Sequence, residues 1–278
     1  MKITVLIENT APEHLRCEHG LALYIEYNRK CYLLDTGSSD AFMDNAKLLG
    51  INLENVDAAF LSHGHYDHSG GFASFFEKNK SAKVYLQEAS KELCYKNADG
   101  TQKYIGIPRE LLKRYEERFV YVRKKCQVDE GVWIIPHSTE GLAEYGKRAH
   151  MYRKHGEAYI ADDFAHEQSI VIEFPKGLLV FNSCSHGGIV NIVDEVHRAF
   201  LNQQVYAVIG GFHLKGIQGI NSLSVTEQEV IEMGKLLFQR GVSYIYTGHC
   251  TGRLAFDILK REFGEKVQYL CTGTTIMF

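Results

Sequence analysis

In Leu61-Ser62-His63-Gly64-His65-Tyr66-Asp67-His68-Ser69-Gly70-Gly71, three histidines and a carboxylate fall within six positions. Neutral imidazoles and carboxylates are the ligands that zinc and its neighbours take, and residues packed on one short loop can divide between two adjacent cations. A solvated, His-rich turn is the alternative, and it explains one or two imidazoles better than three. The preceding Val56–Ser62 reads as a mostly apolar strand that delivers the histidines to a sheet edge, where layered α/β proteins bind ligands. Gly64, Gly70 and Gly71 permit close backbone approach.

Further histidines follow apolar strands in the second half of the chain. His186, in Ser183-Cys184-Ser185-His186-Gly187-Gly188, lies beyond the strand Leu178–Asn182. It precedes a helix whose Ile189, Ile192, Val193, Val196 and Phe200 share one face. His213 follows the strand Val205–Ile209, and His249 follows Ser243–Tyr246. His186 and His249 read as metal ligands. His213 reads as a proton donor or a contact to substrate oxygen, or else as a histidine supporting a ligand. His166 stands ahead of the strand Ser169–Phe174 and by itself reads as a surface histidine on a loop. Ser183-Cys184-Ser185-His186 is not taken as a nucleophile beside its base, because adjacent residues seldom provide that geometry. Cys250 reads as packing, and no glycine loop fits a nucleotide-binding fingerprint.

Around these loops the chain reads as strands Ile3–Glu8, Ala22–Tyr27, Lys30–Leu34 and Lys83–Gln87, with helices over Asp40–Leu49 and Gly71–Lys80. A second run of strands and helices closes with a helix Arg253–Phe263 and a strand Val267–Leu270. Ser224 and Glu227 have capping-box spacing for a helix carrying Val230, Met233, Leu236 and Leu237 on its buried side. Between them, about residues 88–164 read as a helical or irregular insertion, with helical propensity over Pro108–Phe119.

The motif His-x-His-x-Asp-His directly after an apolar strand resembles the signature of the metallo-β-lactamase superfamily. That resemblance implies an α/β, four-layer αββα sandwich, forming a single domain over residues 1–278 with the insertion as a lid. It also implies two divalent cations, zinc before manganese or iron: His63 and His65 on one, Asp67 and His68 on the other, and later strands supplying the rest. Asp35-Thr36-Gly37 is then a support for the metal loop, or otherwise a strand-ending turn. With Cys-Ser-His-Gly-Gly-Ile, Gly-Gly-Phe-His-Leu and Gly-His-Cys-Thr-Gly, the chain resembles one branch more than the superfamily at large. That branch is the 7,8-dihydropterin-6-methyl-4-(β-D-ribofuranosyl)aminobenzene-5′-phosphate synthase-like proteins. Hydrolytic members of the superfamily place a bridging Asp after the strand corresponding to Leu178–Asn182. Here stand Asn182, Ser183 and Cys184, so His186 is expected to take over coordination, ahead of a Cys184 thiolate or a site with fewer ligands. The resemblance also makes His166 a candidate further ligand, because it precedes Ser169–Phe174 much as another histidine of the family does.

Composition bounds the function. The net charge of −3 disfavours a dedicated nuclease, which needs a basic surface. Charge is uneven: Lys91–Lys154 holds 14 Lys and Arg against 9 Asp and Glu, interleaved with Tyr95, Tyr104, Tyr115, Tyr121, Tyr145 and Tyr152. A lid of that kind suits an anionic ligand. No signal-peptide pattern opens the chain and no run reaches membrane-spanning length. Seven cysteines without a Cys-x-x-Cys pair fit a cytoplasmic protein. The expectation is a metal-dependent hydrolase in which metal-bound hydroxide, oriented by Asp67, attacks a small phosphorylated or ester-type substrate while His213 assists the leaving group. A pterin-type synthase or transferase, and a metal-binding protein without catalysis, are the alternatives. Neither nucleic acid nor membrane is expected as a partner, and oligomeric state is left open.

Overall fold

The computed structural model describes residues 1–98, 100–201, 203–216 and 222–278. They form two compact units, one of Met1–Arg123, Ser138–Glu167 and Cys271–Phe278, the other of Lys124–His137 and Gln168–Leu270. Among the described residues no helix is long and apolar enough to cross a membrane.

The first unit is built on a seven-stranded sheet in the order Thr275–Met277, Lys2–Ile7, Ala22–Tyr27, Lys30–Leu34, Ala58–Phe60, Lys83–Gln87, Phe119–Val122. The first four strands are antiparallel neighbours and the last three add in parallel. Tyr27 pairs with Lys30 across Asn28 and Arg29, both with left-handed φ (49° and 62°). A two-residue turn of that hand matches the twist of its strands. Because Leu34 pairs with Phe60 in parallel, both strands leave the sheet at one edge, and Asp35 emerges beside Leu61 and Ser62. Helices Ala41–Leu48 and Phe72–Lys78 bring Phe42, Phe72, Phe75 and Phe76 into a core with Leu53, Val84 and Leu86. Each such side chain contributes about 1.5–3 kcal/mol by leaving water.

The expected irregular stretch is largely strand. Leu93–Ala98, Thr101–Tyr104, Met151–His155 and Ala158–Ala161 form a four-stranded antiparallel sheet within the first unit. Phe119–Val122 joins the main sheet, and Cys126–Asp129 and Val132–Pro136 belong to the second unit. The helix expected over Pro108–Phe119 shortens to Leu111–Arg114 and a single turn Glu116–Arg118. Phe119 instead pairs with Val84 and is buried, so burial in the sheet overrides local helical propensity.

The second unit has its own seven-stranded sheet, ordered Val267–Tyr269, Tyr244–Thr247, Val205–Gly210, Gly177–Phe181, Gln168–Phe174, Val132–Pro136, Cys126–Asp129. Gly177–Phe181, Val205–Gly210, Tyr244–Thr247 and Val267–Tyr269 run in parallel, so the loops carrying His186, His213 and His249 leave from one edge. Helices Ile189–Ala199, Glu227–Gln239 and Arg253–Phe263 bury Ile192, Val193, Val196, Val230, Leu237 and Leu259 in one core. The capping box is made by Thr226 and Glu229, not by Ser224 and Glu227. Ser224 lies in a bend, donating its N–H to the Leu214 carbonyl (2.8 Å) and its hydroxyl to the His213 carbonyl (3.3 Å), and the helix starts two residues later than its spacing suggested.

Gly70 N–H donates to the Gly37 carbonyl (2.9 Å), closing the histidine loop onto the Asp35-Thr36-Gly37 turn. A Cβ on Gly70 would collide with the Ser38 backbone carbonyl, which cannot swing aside. Gly70→Ala is therefore expected to lower unfolding free energy by at least about 2 kcal/mol. Urea unfolding measures it, and an unchanged midpoint would contradict this packing.

Candidate metal centre

The loop after Ala58–Phe60 is anchored by one carboxylate. Asp35 is fully buried and sits at a left-handed φ of 61°, a strained position for a non-glycine residue. Its Oδ1 accepts the Ser62 backbone N–H (2.7 Å), and its Oδ2 accepts the Ser62 hydroxyl (2.7 Å) and His68 Nδ1–H (2.8 Å). Since the Ser62 hydroxyl proton points at Asp35, Ser62 Oγ accepts from His63 Nδ1–H (2.9 Å). In this network the second nitrogen, Nε2, carries the lone pair of His63 and faces away from the anchor. Asp35-Thr36-Gly37 is thus the support that the resemblance implied. Thr36 ties down the loop's far end, its N–H and hydroxyl both donating to the His68 carbonyl (2.9 and 3.1 Å).

Four imidazoles converge in this unit. The His63 ring centroid lies 4.6 Å from that of His65 and 4.2 Å from that of His68, and His166 stands 5.2 Å from His65. Burial lowers the His65 pKa to about 3, with the neighbouring His166 adding to the effect, so His65 is a neutral donor. Burial also disfavours the charged form of His68, but Asp67 and Asp35 outweigh it and raise its pKa to about 10. Asp67 Oδ2 is 3.5 Å from His68 Nε2 and 3.2 Å from His19 Nε2. Buried imidazoles grouped with a carboxylate fit a divalent cation such as zinc, which binds the deprotonated ring nitrogen. His166, for which a surface position was one expectation, is fully buried.

In the second unit His186 and His213 face each other with ring centroids 4.4 Å apart. Ser185, His213 and His249 all have left-handed φ (54°, 51° and 51°), so strain gathers at the loops that sequence spacing singled out. Asn182, at the position where hydrolytic relatives are expected to carry Asp, shapes the turn. Its Oδ1 accepts the Ser185 N–H (2.6 Å) and its Nδ2 donates to Ser169 Oγ (2.9 Å). Cys184, Cys250 and His213 offer donor atoms within 4.8 Å of one another, and Cys250 Sγ accepts the His213 N–H (3.3 Å). Burial disfavours the Cys250 thiolate, but its hydrogen bonding to Cys184 and His213 prevails and lowers the pKa well below the ordinary thiol range.

Two features carried no sequence signal. His137 is pinned between Glu195 Oε2 (2.6 Å) and Ser169 Oγ (2.8 Å) beneath the Asn182 turn. Cys94 and Asp162 lie beside His65 and His166, brought there by strands with no distinguishing period. Arg153, counted among the cations of an anion-binding lid, is instead mostly buried and engaged by Glu92, Asp162 and Asp163.

Residues 15–150 match the family model of the metallo-β-lactamase superfamily. A synthase of Methanocaldococcus jannaschii is 30% identical over 94% of this chain and 90% of its own length. It is named 7,8-dihydropterin-6-methyl-4-(β-D-ribofuranosyl)-aminobenzene-5′-phosphate synthase. The chain belongs to the metallo-β-lactamase superfamily. Its α/β fold is that of the superfamily's sandwich. A crystal structure of a metal-dependent hydrolase of the β-lactamase superfamily superposes with a TM-score of 0.84, at 28% identity over 100% of this chain and 99% of that one. The metallo-β-lactamase fold protein YhfI from Bacillus subtilis shares the fold at 14% identity, with a TM-score of 0.59 over 99% of this chain and 98% of its own.

Within this superfamily member, Asp35 holds two histidine tautomers at once. Removing an outer carboxylate of that kind costs roughly 10–100-fold in metal affinity. Asp35→Ala is expected to weaken zinc binding by about that factor in competition with a chromophoric chelator. Affinity equal to wild type would show that the loop holds its geometry without Asp35.

Proposed function

We propose that this chain is a metal-dependent hydrolase with a dinuclear site, acting on a small anionic substrate of phosphorylated or ester type. The observation that carries the reading is the Asp35-anchored loop, which buries His63, His65 and His68 beside Asp67 and fixes the ring nitrogens of His63 and His68 by hydrogen bonds. His63, His65, Asp67, His68, His186 and His249 would hold two divalent cations, zinc before manganese or iron. Bound there, such cations would polarise the scissile group and make water a better nucleophile near neutral pH. Asp67 would orient the attacking water, and His213, beside His186, would hold a proton for the leaving group or bind a substrate oxygen.

The same reading treats residues 1–278 as one domain with about 88–164 as a lid, in a cytoplasmic protein whose partner is a small molecule and not nucleic acid. Arg153, engaged by three carboxylates, is not among the lid cations available to an anion. The alternative of a pterin-type synthase or transferase is favoured by one observation, the named activity of the 30% identical relative. A metal-binding protein without catalysis is the third reading.

Protein purified with its metals intact should carry close to two equivalents per chain by elemental analysis. It should hydrolyse a member of a panel of phosphomonoesters, phosphodiesters, lactones and thioesters in proportion to occupancy. His63→Ala and His249→Ala should each lose metal while keeping their circular dichroism. His186→Ala should also lose metal, and Cys184→Ser should not. Two equivalents retained in both His63→Ala and His249→Ala would sink the ligand set. Full occupancy without turnover on any substrate would favour the binding-protein reading, and loss in Cys184→Ser with retention in His186→Ala would make Cys184 the ligand.

A further inference from the structure

His65, Cys94, Asp162 and His166 are all buried and offer four donor atoms within 4.8 Å of one another. That grouping has the make-up of a cation site, but the hydrogen bonds assign it differently. The Gly64 backbone N–H, which can only donate, points at His166 Nδ1 (3.1 Å). Nδ1 therefore supplies a lone pair, and the ring proton of a neutral imidazole is on Nε2. Burial opposes the charged form of His166, while Cys94 and Asp162 favour it and raise its pKa, but a second proton on Nδ1 would face the Gly64 N–H, so the geometry assigns the neutral ring. Nε2–H is directed at Asp162 Oδ2 (3.2 Å). A ring with both nitrogens engaged in this way has no lone pair left for a metal. Cys94 lies on the same side, its thiol directed at the Glu92 carbonyl (3.9 Å), and burial raises its pKa.

Asp162 is itself held from behind. Its Oδ1 accepts the Phe164 N–H (2.8 Å) and lies 3.4 Å from Arg153 Nε. Arg153 is fixed in turn by Glu92 (2.5 Å) and Asp163 (2.8 Å). Phe164, two residues before His166, takes a left-handed φ of 54°, which turns the chain so that His166 can reach the loop. At the other end, Gly64 separates His63 from His65, and an added Cβ there would rest on the His166 ring at 3.5 Å. The His166 ring lies nearly parallel to that of His63, at 21° with centroids 6.1 Å apart.

We infer that His166 is a positioning residue for the metal loop. Through Gly64 N–H it fixes the peptide between His63 and His65, and Asp162, backed by Arg153, fixes His166. The inference rests on the proposed metal role of His63 and His65, but its geometric part does not. It also explains the buried carboxylate and guanidinium of the Met151–Glu167 segment, which the proposed reaction does not use.

The test uses the full chain. His166→Leu removes the acceptor facing Gly64. His166→Asn restores it, because its side-chain oxygen stands two bonds from Cβ, as Nδ1 does. Asp162→Ala keeps the ring but frees its tautomer. With zinc as the probe and a chromophoric chelator as competitor, His166→Leu should bind about 10–100-fold more weakly at unchanged stoichiometry. His166→Asn should recover most of that loss, and Asp162→Ala should fall in the same direction. In metal-free protein, hydrogen exchange of the Ser62–Ser69 peptide should be faster in His166→Leu than in wild type and near normal in His166→Asn. Wild-type affinity and exchange in His166→Leu would overturn the inference. So would loss of a whole metal equivalent in both His166→Leu and His166→Asn, which would make His166 a ligand. If His166→Leu does not fold by circular dichroism, Asp162→Ala against His166→Asn decides by the same two readouts. Failure of the wild type to bind metal would sink the proposed function, and the exchange arm would still decide whether His166 holds the loop.

Discussion

A carboxylate buried without compensation is too costly to keep, and the histidine loop is built around meeting that requirement at Asp35. The backbone N–H and hydroxyl of Ser62 and the Nδ1–H of His68 satisfy its two oxygens. The same bonds decide which nitrogens of His63 and His68 face outward. Stability and chemistry are therefore not separable here. The groups that make the buried charge tolerable are the groups that aim the donors, so the loop cannot adopt another arrangement without stranding Asp35. The parallel pairing of Lys30–Leu34 with Ala58–Phe60 supplies the proximity on which all of this depends.

Strain marks the same places. Asp35, Phe164, Ser185, His213 and His249 are non-glycine residues with left-handed φ, a conformation that costs of order 1–3 kcal/mol and persists where surrounding contacts over-determine it. At Asp35 those contacts are the three hydrogen bonds just named. At Ser185 they are the Asn182 side chain and the Gly211 carbonyl. At His213 they include the sulfur of Cys250. Each strained residue ends or follows a strand, where the backbone must reverse sharply to present a side chain at the sheet edge.

Much of this was legible in the sequence because the signals are local. Ala22–Tyr27, Lys30–Leu34, Lys83–Gln87 and Arg253–Phe263 carry period and punctuation within themselves, and the structure has them at the expected bounds. The His63–His68 spacing needed no partner to be noticed. What escaped is non-local. Leu93–Ala98 pairs with Met151–His155 across more than fifty residues, and short strands with half-buried patterns announce nothing on their own. Arg153 read as one charge in a basic segment, because its three carboxylate partners are assembled by that same pairing. Asp162 gave no signal in the sequence, and only the fold shows it buried against His166. The capping box slipped by two positions because Ser224, though correctly spaced, was already committed to a backbone bond with Leu214.

Asp35 and Ser62 orient His63 so that Nε2 would face a bound cation. A crystal structure of zinc-loaded protein, with anomalous difference density recorded on both sides of the zinc absorption edge, tests it most directly. The expected result is an anomalous peak at about 2.0–2.1 Å from His63 Nε2, with Nδ1 still on Ser62 Oγ. A zinc peak bonded to His63 through Nδ1, or zinc bound elsewhere with the His63–His68 loop unchanged and empty, would contradict it.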